Sequence, residues 1–274
     1  MNLKKLGIRA ASGTVYCLII LICVLIGQYG VLALGILLSV GACIEFAKIS
    51  HDMTIRNIPT LIIEIAGCIT LCFGYLGYTL IIWLALMIGR AIVELYVGSA
   101  RPLHNLAHSY MSQIYIGVPM SIMVSIGFMF NPMMIMALFI LIWINDTGAF
   151  LVGSLMGRHK LFERISPKKT WEGFAGGLIF CLIASVLFSV YCNEFFGMDT
   201  IGADLGVWIG LGVIVCIFGT WGDLVESMIK RNLQIKDSGN IIPGHGGILD
   251  RIDSLLLVLP AVAVYIAVLI YRYL

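Results

Sequence analysis

Apolar runs of roughly 17 to 25 residues, long enough for a helix to cross a bilayer's hydrocarbon core, follow one another along almost the whole chain. Nine are expected, at about 10–27, 29–47, 58–76, 78–97, 108–130, 132–156, 171–191, 204–229 and 249–271. Few folds are open to such a chain. Backbone N–H and C=O groups in hydrocarbon must bond to each other, and a helix achieves this within a single run. The expected fold class is therefore an all-α integral membrane protein. Composition agrees: 60% of residues are hydrophobic, 12% are charged and the mean hydropathy is +1.02, against about 25% charged in soluble domains. No Pro/Ser-rich linker or charge block divides the 274 residues, so one polytopic domain, 1–274, is expected.

The placement of charge says more than the net value of +2. Cytoplasmic loops of membrane proteins are enriched in Lys and Arg. With the N-terminus inside, the cytoplasmic side collects Lys4, Lys5, Arg9, Lys48, Arg56, Arg90, Arg101, Arg158, Lys160, Arg164, Lys168, Lys169, Lys230, Arg231, Lys236 and Arg251, leaving only Arg272 of the 17 cations outside. Glu194, Asp199 and Asp204 fall on the opposite side, and so does the C-terminus after an odd number of spans. Lys4, Lys5 and Arg9 have the character of a signal-peptide n-region, yet no small-residue cleavage site follows, so an uncleaved first helix is expected. A bacterial-type inner, cytoplasmic membrane is the expected location. The eight cysteines lie mostly within apolar runs, where Cys behaves as a small hydrophobe; Cys68 and Cys72, four apart, are expected to pack rather than to bind metal.

The stretch from Ser227 to Ser254 is a polar island between two long apolar runs. Lys230, Arg231, Lys236 and Arg251 supply cationic donors, while Asp237, Asp250 and Asp253 supply hard oxygen ligands. Gly244, Gly246 and Gly247 leave backbone N–H groups open to a phosphate, and Pro243 fixes the approach to them. Asp250 and Asp253, three apart at the start of a helical run, share one helix face and can hold Mg²⁺. Taken singly, each residue fits an ordinary solvated loop. The density of both charge signs in one loop fits a metal-bound polyphosphate better.

At fixed spacing the island carries Ser227, Lys230, Arg231, Lys236, Asp237, His245, Gly246, Gly247, Asp250, Arg251 and Asp253. This pattern, Ser-x-x-Lys-Arg, then Lys-Asp, then His-Gly-Gly-x-x-Asp-Arg-x-Asp, resembles the fingerprint of the phosphatidate cytidylyltransferases, the CDP-diacylglycerol synthases. Two further segments are similar to that family. Trp143 to Phe150, WINDTGAF, resembles its Asp-Ser/Thr-Gly-Ala-aromatic run and places Asp146 in an apolar span; polar packing among helices is the alternative. Residues 158–174 contain SPKKTWEG, similar to the family's Ser-Pro-x-Lys-Thr-x-x-Gly segment. There Ser166 is expected to cap a helix with Pro167 in its first turn, setting Lys168, Lys169 and Thr170 at an anion site. Asp223, Glu226, Ser227 and Lys230 share a face of the eighth span, where Asp223 suits metal and Glu226 suits a salt bridge.

The resemblance implies transfer of CMP from CTP to phosphatidic acid, giving CDP-diacylglycerol and pyrophosphate. Asp223, Asp250, Asp253 and Asp146 are then expected to hold Mg²⁺, alone or with a second metal ion. Lys230, Arg231, Lys236, Arg251 and the glycine backbone would meet CTP phosphates, Ser166, Lys168, Lys169, Thr170, Ser227 and Asp237 would complete the substrate site, and His245 would donate to pyrophosphate. Residues 1–107 are expected to be mainly scaffold helices and 108–274 to carry the catalytic helices and loops. In the first part, Glu45 and Glu64 each require a partner because a carboxylate in an apolar run is costly, and Arg90 and Glu94 are expected to pair. The partners implied are CTP, phosphatidic acid and the bilayer, with a homo-oligomer left open and no nucleic acid. Two other classes use similar residues: a CTP-dependent lipid kinase, and a cation transporter built on Asp146 and Asp223.

Overall fold

A computed structural model describes residues 3–50, 58–198, 202–239, 241 and 246–273. His245, Gly244 and Pro243 of the polar island, with Asp199 and Arg56, lie outside the described residues. Among the described residues ten α-helices make up most of the structure: α1 (Leu3–Leu25), α2 (Gln28–Ser50), α3 (Ile58–Cys72), α4 (Thr79–Val97), α5 (Pro102–Ser112), α6 (Val118–Met129), α7 (Pro132–Met156), α8 (Trp171–Tyr191), α9 (Leu205–Asn232) and α10 (Leu249–Tyr273). A five-residue π-helical turn, Gln113–Gly117, joins α5 to α6 in one continuous run. Pro119, two residues past this turn in the first turn of α6, lacks the N–H that would continue the regular ladder.

Among the described residues, seven helical runs are long and apolar enough to span a membrane, and the shorter Ala10–Leu25 and Ile58–Cys72 are apolar but not long enough by that measure. At 1.5 Å per residue the 15-residue α3 reaches about 22 Å, short of a hydrocarbon core of about 30 Å. The expected third span, 58–76, stops early because Phe73 to Tyr78 forms turns. The chain is a multi-pass membrane protein.

Side chains set several helix ends. Asn131 accepts from Met133 N–H (2.9 Å) with Pro132 in the first turn of α7, and Asp204 accepts from Val207 N–H (2.9 Å) at the start of α9. Gly98, at φ +62°, ends α4 in the left-handed region that glycine tolerates best.

The chain divides into two compact units, Met1–Phe128 with Ile235–Ile252, and Met129–Gln234 with Asp253–Leu274. The island residues Ile235–Ile252 belong to the first unit. Inside that unit lies a buried polar network. Arg90, 1% exposed, donates through Nη1 to Glu94 Oε2 (2.8 Å) and through Nε to Ser109 Oγ (2.8 Å), and Glu64 Oε1 stands 3.6 Å from Arg90 Nε. Ser109 in turn donates to Glu64, and the Gln113 amide donates to the Glu64 carbonyl (2.9 Å). Arg90 and Glu94 pair as expected. Arg90 is accordingly a core residue of α4 and not a loop cation, which removes it from the cytoplasmic charge tally.

In the second unit, glycines bring α7 and α8 together. A Cβ at Gly148 would fall 2.7 Å from the Phe180 ring, and one at Gly176 would fall 2.4 Å from Val152 Cβ. A Cβ at Gly222 of α9 would likewise sit 2.6 Å from the Asp253 carbonyl oxygen, so α9 and α10 meet backbone to backbone.

Candidate functional site

The loop between α7 and α8 is a β-hairpin, β1 (Lys160–Phe162) and β2 (Ser166–Thr170), antiparallel with Lys160 opposite Thr170 and Phe162 opposite Ser166. The helix expected to begin at Ser166 is thus a strand. Thr170, at φ −129° and ψ 155°, is the residue that caps α8, its Oγ1 accepting from Gly173 N–H (3.1 Å). Thr170 is buried, and its hydroxyl oxygen serves the helix. Lys168 and Lys169 therefore do not stand on free helix N–H groups; their charge alone recommends them for an anion. The hairpin is tied down by Glu172, whose carboxylate accepts from the N–H groups of Arg158 (3.1 Å) and His159 (3.1 Å) and stands 2.6 Å from His159 Nδ1. Arg231 Nε reaches the Ile165 carbonyl (3.5 Å), so this expected phosphate ligand borders the hairpin.

Beside the hairpin, within the second unit, α7, α8 and α9 enclose a cavity of about 610 Å³. Its walls carry Asp146 and Asp223, with Lys160, Lys168, Lys169 and Ser166 from the hairpin. Asp146 of the WINDTGAF run is exposed, while its neighbour Asn145 is buried. The 28 residues of α9 extend about 42 Å. That exceeds a hydrocarbon core of about 30 Å, so the turns from Asp223 onward lie at one end of the span. Asp223 Oδ2 pairs with Lys169 Nζ at 2.7 Å, and Oδ1 accepts from Ser227 Oγ (3.2 Å). Lys169 Nζ also donates to the Thr220 carbonyl (3.2 Å). Glu226, fully buried, pairs with Lys230 at 3.0 Å, the salt bridge expected of it. Lys230, expected at the phosphates, is thus held by that carboxylate.

Asp253, half-buried, lies in electrostatic reach of Asp223 and Asp146 and shares a hydrogen bond with Glu226. Among the described residues no three His, Cys, Asp or Glu side chains stand together at metal-holding spacing. The donor type nevertheless fits Mg²⁺, since all three aspartates offer hard carboxylate oxygens. Lys169 is the cation that now faces Asp223.

The first unit holds the other part of the fingerprint. Asp250 Oδ2 accepts from Ser238 N–H (2.9 Å), Ser238 Oγ (3.0 Å) and Gly247 N–H (2.8 Å). The backbone N–H of Gly247, expected to be open to a phosphate, is thus taken by Asp250. Gly246, at φ +84°, packs its Cα against the same carboxylate, where a Cβ would fall 2.6 Å from Oδ2. Lys236, Asp237 and Arg251 are exposed. The residue that sequence reasoning missed here is Glu45 of α2, 1% exposed, which accepts from the N–H groups of Ile248 and Leu249, both at 2.9 Å, and from Ser238 Oγ (3.2 Å). Its only signal was a carboxylate in an apolar run.

A sequence model of the cytidylyltransferase family matches residues 7–269. Among individual relatives, the phosphatidate cytidylyltransferase of Staphylococcus aureus strain COL is 46% identical over 163 residues, covering 56% of this chain and 56% of that one. The phosphatidate cytidylyltransferases of Staphylococcus haemolyticus and Staphylococcus epidermidis are 49% identical over 124 residues and 39% identical over 163, covering 44% and 56% of either chain. The chain thus matches about half the length of the curated relatives. The family match, by contrast, extends over nearly all of it, and the chain belongs to the cytidylyltransferase family.

Proposed function

We propose that the protein is a CTP:phosphatidate cytidylyltransferase, which forms CDP-diacylglycerol and pyrophosphate at the cytosolic face of the membrane. The observation that carries this reading is the cavity of about 610 Å³ in which Asp146 and Asp223 meet the hairpin lysines at one end of membrane-spanning helices. Such a mixture of carboxylates and ammonium groups suits two anionic reactants joined by a metal. The similarity to relatives named phosphatidate cytidylyltransferase supports the choice of substrates.

In this reading Asp223, Asp253 and Asp146 would hold Mg²⁺, and the fingerprint assigns Asp250 to the reaction as well. The ion would screen the phosphate charge and polarise the α-phosphoryl group. Lys168 and Lys169, which line the same cavity, would meet a substrate phosphate. An oxygen of the lipid phosphomonoester, largely dianionic near neutral pH because its second pKa is about 6, attacks the α-phosphorus. The bond to the β,γ-pyrophosphate breaks, and pyrophosphate leaves with its electron pair. No strong base is required, and catalysis is chiefly alignment and charge neutralisation. The N-terminus inside and the C-terminus outside follow from the cation distribution.

The test supplies the detergent-purified protein with phosphatidic acid, Mg²⁺ and CTP labelled at the α- or the γ-phosphate. The α-label is expected in lipid and the γ-label in pyrophosphate, with both transfers abolished by EDTA. Entry of γ-label into lipid would identify a kinase, and intact CTP would refute both.

A further inference from the structure

We infer that Glu45, on a helix assigned to scaffold, is a positioning residue that sets Asp250 for the reaction. The inference rests on the reading of Asp250 given above. Glu45 is 1% exposed, and each of its oxygens is engaged by the chain that leads into α10. Oε1 accepts from Ile248 N–H, and Oε2 accepts from Leu249 N–H, both at 2.9 Å. These amides belong to the start of α10, where four N–H groups lack an intrahelical acceptor and a negative charge is favoured. Glu45 is therefore the anion at that terminus, delivered from about 200 residues away.

The connection to Asp250 is short. Ser238 Oγ stands 3.2 Å from Glu45 Oε2 and 3.0 Å from Asp250 Oδ2. Its single proton serves one carboxylate at a time, so the two share it. Gly247 N–H donates to Asp250, and the next two amides donate to Glu45. Three successive backbone N–H groups are thus divided between two carboxylates, and the orientation of the peptide planes at one fixes it at the other. The fit leaves no slack. A Cβ at Gly247 would fall 2.3 Å from Glu45 Oε2, and one at Gly239 would fall 2.6 Å from Oε1. Displacing a reacting group by about 1 Å can lower a rate about 10²-fold, so a tightly fitted anchor at this point acts on turnover as well as on stability.

The test compares Glu45→Gln, Ser238→Ala and Asp250→Asn with the unaltered protein in detergent. Gln keeps the shape and one acceptor but sets an NH₂ group against a backbone donor. Hydrogen exchange without substrate or metal should show the amides of 247–249 exchanging at least tenfold faster in Glu45→Gln. Its kcat per folded molecule should fall at least tenfold while KM for phosphatidic acid stays within twofold; Ser238→Ala should move in the same direction by less. A purely structural role would lower the folded fraction and leave kcat of the folded molecules unchanged, overturning the inference. Unchanged exchange, or faster exchange with unchanged kcat, would overturn it too, provided Asp250→Asn is inactive. If Glu45→Gln does not fold, Ser238→Ala decides by the same two measurements. An active Asp250→Asn would refute the role of Asp250 itself and leave the exchange result to report on the anchor alone.

Discussion

Replacing Arg90 by Met keeps most of the side-chain volume and removes the charge from the centre of the first unit. The guanidinium sits 2.8 Å from Glu94, 2.8 Å from Ser109 and 3.6 Å from Glu64, with Glu64 and Glu94 only 2% and 4% exposed. Without it, two buried carboxylates share a network that has lost its cation. Removing one partner of a buried ion pair costs about 3–5 kcal/mol, mostly because the remaining charge is uncompensated. A protein of this size loses roughly 2–4 °C of Tm per kcal/mol, so a fall on the order of 6–20 °C is expected in thermal unfolding followed by tryptophan fluorescence in detergent. The triple variant Arg90→Met/Glu64→Gln/Glu94→Gln removes all three charges and should recover more than half of that fall. Turnover per folded molecule should stay near normal in both, since neither Arg90 nor its two glutamates belongs to the proposed site. A Tm within about 2 °C of the unaltered protein for Arg90→Met, or a triple variant no better than the single, would refute the reasoning.

Asp250→Asn preserves size and should reduce turnover on the order of 10²-fold or more, as measured by α-labelled CTP entering lipid; near-normal turnover with unchanged Mg²⁺ dependence would remove Asp250 from the site. A cytoplasmic reporter fused within Gln234 to Gly239 should be active and one at Glu194 inactive, and the reverse pattern would overturn the proposed orientation.

Much of the fold was legible because a bilayer imposes one rule on every apolar run. The expected spans at 78–97, 132–156, 171–191 and 249–271 agree with helices to within a few residues. What sequence patterns handled poorly was the short polar connection. SPKKTWEG reads as a helix start because Ser and Pro favour that position, yet the strand pairing of Lys160 with Thr170 prevails and shifts the cap by four residues. Periodicity likewise left Arg90 among the loop cations, because burial of a charge depends on partners supplied by other helices. The contacts of Glu45 were out of reach for the same reason: its donors lie about 200 residues away in the chain. The pairing of Glu226 with Lys230, four residues apart, was accessible to local reasoning, whereas that of Asp223 with Lys169 was not.

The packing of Gly239 and Gly247 against Glu45 changes what those glycines mean. A glycine-rich loop beside a nucleotide site invites the view that small residues were needed to admit the ligand. Here the space beside both Cα atoms is already filled by a glutamate side chain from α2. Positions 45, 239 and 247 form one steric unit, and their allowed residues depend on each other. A shorter residue at 45 would open the space beside Gly239, whereas a Cβ at 247 would still meet Ser238 Oγ at 2.3 Å, and transplanting this loop beside such a residue would leave a void where the carboxylate stands. Redesign of the loop begins, then, with a residue in the second helix.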